Sequence, residues 1–280
     1  MTDRYRVLAH NTSTASENKI HDDAVAVKLG FAGGLVPGVD VYAYLCHLPA
    51  ARWGIEWLEH GTMAARFATP VYDGDEVQVE GTEQDNGELE LVLRDSSGAV
   101  CASGLAALPA AAAAHADAGD GDELLPPGPL LPDPSQRQPA SADVLSTIAL
   151  GEIELGFRAD RAPEYLDAIR EPLPLFREGG VAHPGWLLRQ ANYILSANVR
   201  LGPWIHVSSS CLHRAAVRDG DRVTTRGRVT QTYERKEHKF VELEVQWLAR
   251  GEDVDDPPTR LVMRATHTAI YEPRGVASLA

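Results

Sequence analysis

The feature that most constrains this chain is an internal repeat. A Gly-Gly turn that ends in Pro-Gly occurs at residues 33–38 and again at residues 179–185. Each turn is followed by a Val-x-Asp-Gly-Asp segment, at residues 71–75 and at residues 217–221. The distance from Pro-Gly to Asp-Gly-Asp is 35 residues in the first copy (38 to 73) and 34 in the second (185 to 219). Two anchors at matched spacing predict a duplicated domain.

A proline-rich segment separates the two copies. Residues 109–139 hold 7 of the chain's 18 prolines, together with a run of alanines. Proline supplies no backbone N–H and disturbs both sheet ladders and helix interiors, so this segment is unsuited to a domain core. We therefore predict an N-terminal module at residues 1–108, a linker at 109–140 that packs partly through its leucines, and a C-terminal module at 141–280. A chain of 280 residues has room for two such domains.

Each copy places a helix before a set of strands. In the second copy, residues 186–200 carry a broad apolar face, which is typical of a helix that a sheet wraps around. The equivalent residues 39–48 are apolar on nearly every side. Apolar and polar residues alternate along 241–247, as in a half-buried antiparallel strand. Further strands are predicted at 77–80, 88–91 and 260–271. This order, twice over, predicts an α+β tandem double hotdog, in which each module wraps an antiparallel sheet around one central helix.

Composition and charge exclude several classes of protein. The 26 Lys and Arg residues against 40 Asp and Glu give a net charge of −14, which argues against nucleic-acid binding because phosphate contacts supply most of that affinity. No apolar stretch approaches the roughly 20 residues of a membrane span. Three scattered cysteines and a first segment without a secretory signal lead us to expect a cytoplasmic protein. His206 and His213 stand too far apart on one predicted strand to bind a metal together, and we expect neither a metal nor a cofactor.

One loop near the N-terminus carries residues suited to acid–base chemistry. It reads Ser-Glu-Asn-Lys-Ile-His at residues 16–21 and leads through Gly-Phe into the first Gly-Gly turn. This pattern resembles the MaoC-like hydratases and dehydratases, whose loop has the form Asp-x-Asn-Pro-Ile-His, followed by a short helix, Gly-Phe and a glycine-rich turn into the central helix. The chain departs from the family at Ser16, where the family has its catalytic Asp, and at Lys19, where it has Pro. The matching positions are Asn18, Ile20, His21, Gly30 and Phe31.

The resemblance implies that water is added to, or removed from, an acyl thioester on coenzyme A or a carrier protein. His21 is the implied acid/base residue, and Asn18 is its orienter or a ligand of the water. Ser16 cannot act as a base unaided, and Glu17 is one position away from the missing carboxylate, so both are candidates for an assisting role. The N–H of Gly38 is the implied donor to the thioester oxygen, because the first N–H groups of a helix are unpaired.

The second copy holds weaker candidates. His183 and Gly185 stand at the matching helix start, and with Gly34 of the first copy they complete the predicted substrate contacts. No Asn-x-x-His loop precedes them, since residues 171–177 form an apolar run stiffened by prolines. We therefore expect the second module to form a wall or an acyl tunnel.

Other interpretations stay open. In a purely structural one, Asp22 or Asp23 caps a helix that Gly30 ends, while His21 bonds local backbone and Asn18 forms a turn. For function, the alternatives are a repurposed hotdog enzyme, such as a thioesterase or a polyketide cyclase or dehydratase, and a non-catalytic acyl-binding subunit. A homodimer is also open.

Overall fold

The structure is a computed structural model that describes residues 2–108, 123–251 and 259–275. Ten strands form one antiparallel sheet, and two short strands pair in parallel beside it. The strands are β1 Thr2–Leu8, β2 Thr62–Phe67, β3 Glu76–Glu83, β4 Leu89–Arg94, β5 Val100–Ala107, β6 Gln138–Pro139, β7 Ile153–Gly156, β8 Val199–Arg200, β9 Ile205–His213, β10 Arg222–Arg235, β11 His238–Arg250 and β12 Arg260–Glu272. The helices are α1 Asp23–Lys28, α2 Gly38–His60, α3 Ala142–Thr147, α4 Ala162–Ala168, α5 Pro174–Arg177 and α6 Pro184–Ser196.

The order of strands in the large sheet confirms the duplication. It runs β1-β3-β4-β5-β2 and then β9-β12-β11-β10-β7. Read from its own outer edge, the second half gives β7-β10-β11-β12-β9, which is the same succession as in the first half. The halves join edge to edge through antiparallel pairing of β2 with β9, from Thr62 with Leu212 to Arg66 with Ser208. The chain is therefore an α+β tandem double hotdog, as predicted.

The predicted linker lies partly outside the described residues, which resume at residue 123. Leu125 is buried, and its N–H donates to the side chain of Gln246 on β11 (2.9 Å). Arg226 on β10 donates to the Leu125 carbonyl oxygen (2.8 Å). Leu130 is instead 94% exposed. This part of the segment packs on the second half of the sheet through one leucine, while the boundaries of the two modules stay a prediction.

The two central helices, α2 and α6, begin at the predicted turns but differ in length from the predictions. α2 continues beyond the predicted residues 39–48 to residue 60, with Pro49 inside it and a break from helical geometry at Gly54. Pro49 removes one helical hydrogen bond, yet the buried Trp57 beyond it anchors the last turns. α6 stops short of residue 200. The Asn198 side chain donates to the Ile194 carbonyl oxygen (2.7 Å) at the end of the helix, and the chain then enters β8.

The predicted strands 77–80, 241–247 and 260–271 lie within β3, β11 and β12, and 88–91 overlaps β4. Buried side chains of both halves form one continuous core. The two central helices meet inside it, where a Cβ on Gly185 would stand 2.7 Å from the Cβ of Ala43. Glycine therefore permits this close approach. No helix in the described part of the chain is long and apolar enough to cross a membrane.

Candidate active site

The loop that carries His21 is built by two side-chain caps. Asn18 accepts the N–H of Ile20 (3.3 Å) at the start of a single 3₁₀ turn that ends at His21. Asp22 accepts the N–H of Val25 (3.1 Å) and so caps α1. The helix cap of the structural interpretation is therefore present, and it uses neither nitrogen of the His21 ring.

The imidazole of His21 is held in one tautomer. Its Nδ1 lies 2.6 Å from the carbonyl oxygen of Leu35, which can only accept, so Nδ1 carries the proton. Nε2 is then the basic nitrogen, and it lies 3.4 Å from Nδ2 of Asn18. Burial lowers the pKa of His21 below its ordinary value, against the opposing effects of the Leu35 carbonyl and of Asp40. His21 is therefore a neutral proton acceptor at pH 7.

Asn18 is fixed by the second module. Its Nδ2 donates to the Trp204 carbonyl oxygen (3.0 Å), and the Trp204 N–H donates to Asn18 Oδ1 (3.1 Å). This pair of bonds defines which end of the amide is nitrogen, and the second hydrogen on Nδ2 is left for the neighbouring Nε2 of His21. The arrangement fits the predicted role of Asn18 as a partner of His21.

Two cavities flank His21. The larger has a volume of about 880 Å³ and the smaller about 610 Å³. The first module supplies the loop and the start of α2, and the second supplies residues of α6, β9, the β10–β11 hairpin and β12. The expected wall is thus formed by the second module, although residues 171–177 line neither cavity. Five residues line both spaces: Asn18, His21, Pro37, Asn192 and Trp204.

The start of α2 opens into the larger cavity. Gly38 is the first residue of α2, is half-buried and lines this cavity, and among the residues that the structure describes no side chain caps the helix here. Its N–H is therefore available to a ligand. The N–H of Gly34 instead donates to Asp23 Oδ1 (2.7 Å), and a side chain on Gly34 would collide with the His21 carbonyl oxygen. Gly34 shapes the loop and has no free N–H to offer a substrate.

Neither candidate for the missing carboxylate contacts the His21 ring. The Ser16 hydroxyl donates to the Asn18 carbonyl oxygen (3.1 Å). The Glu17 carboxylate pairs with Arg137 (3.1 Å), and its side chain is 78% exposed. Within the described residues, no carboxylate is hydrogen-bonded to His21, so Glu17 does not fill the position that Ser16 leaves without a carboxylate.

The buried carboxylate of Asp40 influences His21 only at a distance. It lies in the first turn of α2 and is fully buried. Arg189 on α6 donates to it (2.7 Å), and so does the hydroxyl of Thr12 (2.5 Å). Because these contacts neutralise the carboxylate, Asp40 joins the two central helices and is not free to act as a base.

The matching junction of the second module is closed. Nδ1 of His183 accepts the N–H of Gly185 (3.0 Å) and caps α6, and its Nε2 lies 3.8 Å from Glu171. Glu171 accepts from Nδ1 of His47 (3.0 Å). Burial alone would raise the pKa of Glu171, but His183 and His47 hold it at about 2. His183 and Gly185 therefore serve the helix start, and neither lines a described cavity.

Sequence reasoning missed two groups of residues that reach the larger cavity. One is a hydrogen-bonded series of His206, Ser209 and His267, of which His206 lines the cavity. The other is a set of exposed cations from β2, the β10–β11 hairpin and the segment after β12. Both groups are assembled across strands, so no spacing in the sequence signals them. Within the described residues, no group of three or more His, Cys, Asp or Glu is arranged to hold a metal ion.

Comparisons with known proteins agree on the fold. No model of a known protein family matches the sequence, and no curated protein matches it. A conserved hypothetical protein from Mycobacterium tuberculosis with a double hotdog fold superposes with a TM-score of 0.60, at 13% identity over 96% of this chain and 95% of its own. A Chloroflexus aurantiacus protein named as a MaoC domain dehydratase gives 0.57, at 12% identity over 98% and 95%. A Thermobifida fusca protein named as a thioesterase II gives 0.51, at 15% identity over 96% and 92%. The chain therefore shares the double hotdog fold of these proteins along nearly its whole length.

Proposed function

We propose that this protein adds water to, or removes water from, an acyl thioester at His21. The observation that carries the proposal is a neutral His21 with a basic Nε2, in a cavity of about 880 Å³ that also receives the uncapped start of α2. A base for water and a donor for the thioester oxygen are the groups that such a reaction needs most. The structural neighbour named as a MaoC domain dehydratase supports this choice.

In the hydration direction, Nε2 of His21 takes a proton from water as the water oxygen bonds to C3 of an enoyl thioester. The electrons of the C2–C3 double bond move toward the carbonyl group, and the negative charge lands on the thioester oxygen. The N–H of Gly38 and the dipole of α2 stabilise that charge. The protonated His21 then returns the proton to C2, and the carbonyl re-forms. The product is a 3-hydroxyacyl thioester, and dehydration is the reverse.

Asn18 places the water in this scheme. The contact between its Nδ2 and Nε2 of His21 is long, at 3.4 Å. A water molecule that displaces this contact would lie between an amide and the basic nitrogen, with the amide still held by Trp204. His21 serves both proton transfers, so the mechanism does not require the carboxylate that Ser16 replaces.

Positive charge in the exposed part of the larger cavity supports a carrier that bears phosphate. In a chain of net charge −14, four exposed cations line this cavity. No ion pair of these four is found within the described residues. The stacked rings of Tyr233 and Phe240, 4.8 Å between centroids, lie in the same wall. Coenzyme A and the phosphopantetheine arm of a carrier protein both present phosphate to such a wall. The four cations are Arg66, Arg235, Lys236 and Arg274.

The test is incubation with enoyl-CoA and 3-hydroxyacyl-CoA thioesters of several chain lengths, with products identified by mass. We expect the enoyl and 3-hydroxyacyl forms to interconvert while the thioester stays intact. Saturable binding without any reaction would favour the acyl-binding alternative and would remove the proposed activity.

Thioester hydrolysis is the second candidate. It is favoured by one specific observation, namely that the described residues place no carboxylate on His21. Hydrolysis needs one base, which activates water for attack on the carbonyl carbon and then protonates the leaving thiolate. Release of free coenzyme A in the same incubation identifies this reaction.

A further inference from the structure

His206 packs against the first residue of α2 from the other half of the molecule. It lies on β9, is 5% exposed and lines the larger cavity. A Cβ on Gly38 would stand 2.8 Å from Nδ1 of His206 and 3.0 Å from its Cβ. Glycine therefore fits under this ring where a larger residue would displace it. The ring lies at the end of α2 that carries the free N–H.

Nδ1 of His206 has no hydrogen-bond partner among the described residues. Its other ring nitrogen, Nε2, lies 2.8 Å from the hydroxyl oxygen of Ser209, and that oxygen lies 2.9 Å from Nδ1 of His267. Nε2 of His267 is buried and also has no partner in the described part of the chain. The series of three side chains thus ends in two buried nitrogens without a partner, one in a residue that lines the cavity and one in the core.

The position of the Ser209 proton decides which unpaired nitrogen is a donor. If Ser209 donates to His206, then His267 donates to Ser209, and the proton of His206 is on Nδ1. If Ser209 donates to His267, an N–H of His267 is left without a partner in the core. Each arrangement leaves one buried N–H without a partner in the described part of the chain, but His206 lines a cavity in which a bound molecule can accept from Nδ1, whereas Nε2 of His267 lies in the core. The first arrangement therefore places a donor at the cavity, beside Gly38.

Both rings are neutral at pH 7. Burial and the neighbouring His267 lower the pKa of His206 well below its ordinary value, against the effect of the Ser208 backbone. Burial also lowers the pKa of His267, to about 3. A neutral imidazole donates a hydrogen bond without the cost of a buried charge.

We propose that His206 is a second donor to the thioester oxygen, so that its Nδ1–H and the Gly38 N–H together form the oxyanion pocket. The inference rests on the proposed function, because that function places a thioester oxygen in this space. Each module contributes one donor, which explains why the pocket requires both halves of the chain.

Acetoacetyl-CoA tests this assignment without turnover. Its enolate absorbs in the near ultraviolet where the keto form does not, and an oxyanion pocket lowers the pH at which the bound ligand enolises. The ligand is titrated over a pH series into wild type, His206→Gln and His206→Asn, with affinity measured by calorimetry and folding by thermal denaturation. The Gln side chain reaches toward Ser209 but has no polar atom at the Nδ1 position, whereas Asn keeps a donor near that position.

We expect His206→Gln to raise the enolisation pH of the bound ligand by about two units, which corresponds to the roughly 100-fold cost of removing one oxyanion donor. Affinity for the keto form should change much less, and His206→Asn should recover part of the shift. Equal enolisation in wild type and His206→Gln would overturn the role of His206 alone, as would an Asn variant that behaves like the Gln variant. Failure of the wild type to bind acetoacetyl-CoA would overturn the proposed function together with this inference.

Discussion

In each module a short turn precedes the start of the central helix, α2 in the first and α6 in the second. These two junctions share a backbone plan but differ in their side chains. Asn18 and Leu173 each precede a single turn, which ends at His21 in the first module and at Arg177 in the second. Counted from these two residues, Ser16 corresponds to Glu171, and His21 corresponds to Phe176. The first module therefore keeps the histidine without the carboxylate, and the second keeps a carboxylate without the histidine.

The difference shows how one fold makes an open site and a closed one. In the second module Nδ1 of His183 caps the start of α6, and Glu171 accepts from His47. Nε2 of His183 is buried beside Glu171, away from both described cavities. In the first module, none of the described side chains caps the start of α2, and the long contact with Asn18 is the one that these residues make with Nε2 of His21. Unsatisfied polar groups beside a cavity are what a substrate requires, and in the part of the chain that the structure describes the first junction offers them while the second does not line either cavity.

The largest expected effect concerns His21. Asn at this position keeps a donor for the Leu35 carbonyl and removes the basic nitrogen, so His21→Asn should slow turnover by about 100-fold or more with little change in melting temperature. His21→Ala should show the same loss of turnover and also cost up to roughly 1 kcal/mol of stability, because it removes that hydrogen bond. Wild-type turnover should fall as the pH drops through the lowered pKa of His21. Equal turnover in wild type and His21→Asn would remove His21 from the mechanism.

Glu171→Gln should affect stability rather than turnover. The substitution removes a buried charge that His47 and His183 stabilise, at a cost of about 2 kcal/mol in the free energy of unfolding. Because the pKa of Glu171 is lowered from 4.5 to about 2, the stabilisation is complete above pH 4.5 and is lost as the pH falls toward 2. Denaturant unfolding of wild type and Glu171→Gln across this pH range measures the gap, that is, the difference between their free energies of unfolding. A gap that is independent of pH, or a large loss of turnover in folded Glu171→Gln, would contradict the assignment of this junction as closed and structural.

Ser16→Asp restores in the first module the carboxylate that the second module retains. It should raise hydration of an enoyl-CoA thioester by a factor below the roughly 100-fold that a well-placed acid–base group supplies. The rise should disappear when the substitution is combined with His21→Asn. A gain that survives in the double variant would show that the new carboxylate acts without His21.

The smallest expected effect concerns the exposed cations. Arg235→Gln combined with Lys236→Asn should raise the KM for a CoA thioester by about 30-fold or less, since each of the two exposed charge contacts contributes up to roughly 1 kcal/mol. The value of kcat should stay nearly constant, and KM should depend less on salt. Arg228→Gln is the matched control, because Arg228 lies on the same strand but is paired with Glu244 (2.6 Å). An equal rise in KM in the control would contradict a specific phosphate contact.

The fold could be predicted because the two repeated motifs of each copy, the Gly-Gly turn and the Val-x-Asp-Gly-Asp segment, are also neighbours in the structure. Residue Leu35 of the first Gly-Gly turn bridges to Tyr72, and Val181 of the second bridges to Arg218. The backbone N–H of Val36 donates to the Val71 carbonyl (2.8 Å), and in the second module the N–H of Ala182 donates to the Val217 carbonyl (2.9 Å). A change in either motif would disturb this pairing, which accounts for the matched spacing between the two motifs in the two copies. Local signals of this kind also located the loop of His21.

The remainder of the site could not be predicted, because it depends on pairing between distant strands. His206 meets Gly38 only because the two halves of the sheet join edge to edge. The closed state of the second junction depends on His47, which lies in the first module and is 124 residues from its partner Glu171. The sequence placed His183 and Gly185 at the correct helix start, but their hydrogen bond to each other shows why they are unavailable to a substrate.

The most direct test of the central claim is the fate of labelled water. Wild type and His21→Asn are each incubated with an enoyl-CoA thioester in ¹⁸O-water, and all acyl products are analysed by mass. We predict that the wild type forms an intact 3-hydroxyacyl-CoA with one ¹⁸O in its hydroxyl group, and that His21→Asn forms about 100-fold less in the same time. Label found instead in the carboxylate of a free acid, with release of coenzyme A, would contradict the hydratase assignment, as would the absence of labelled product from the folded wild type.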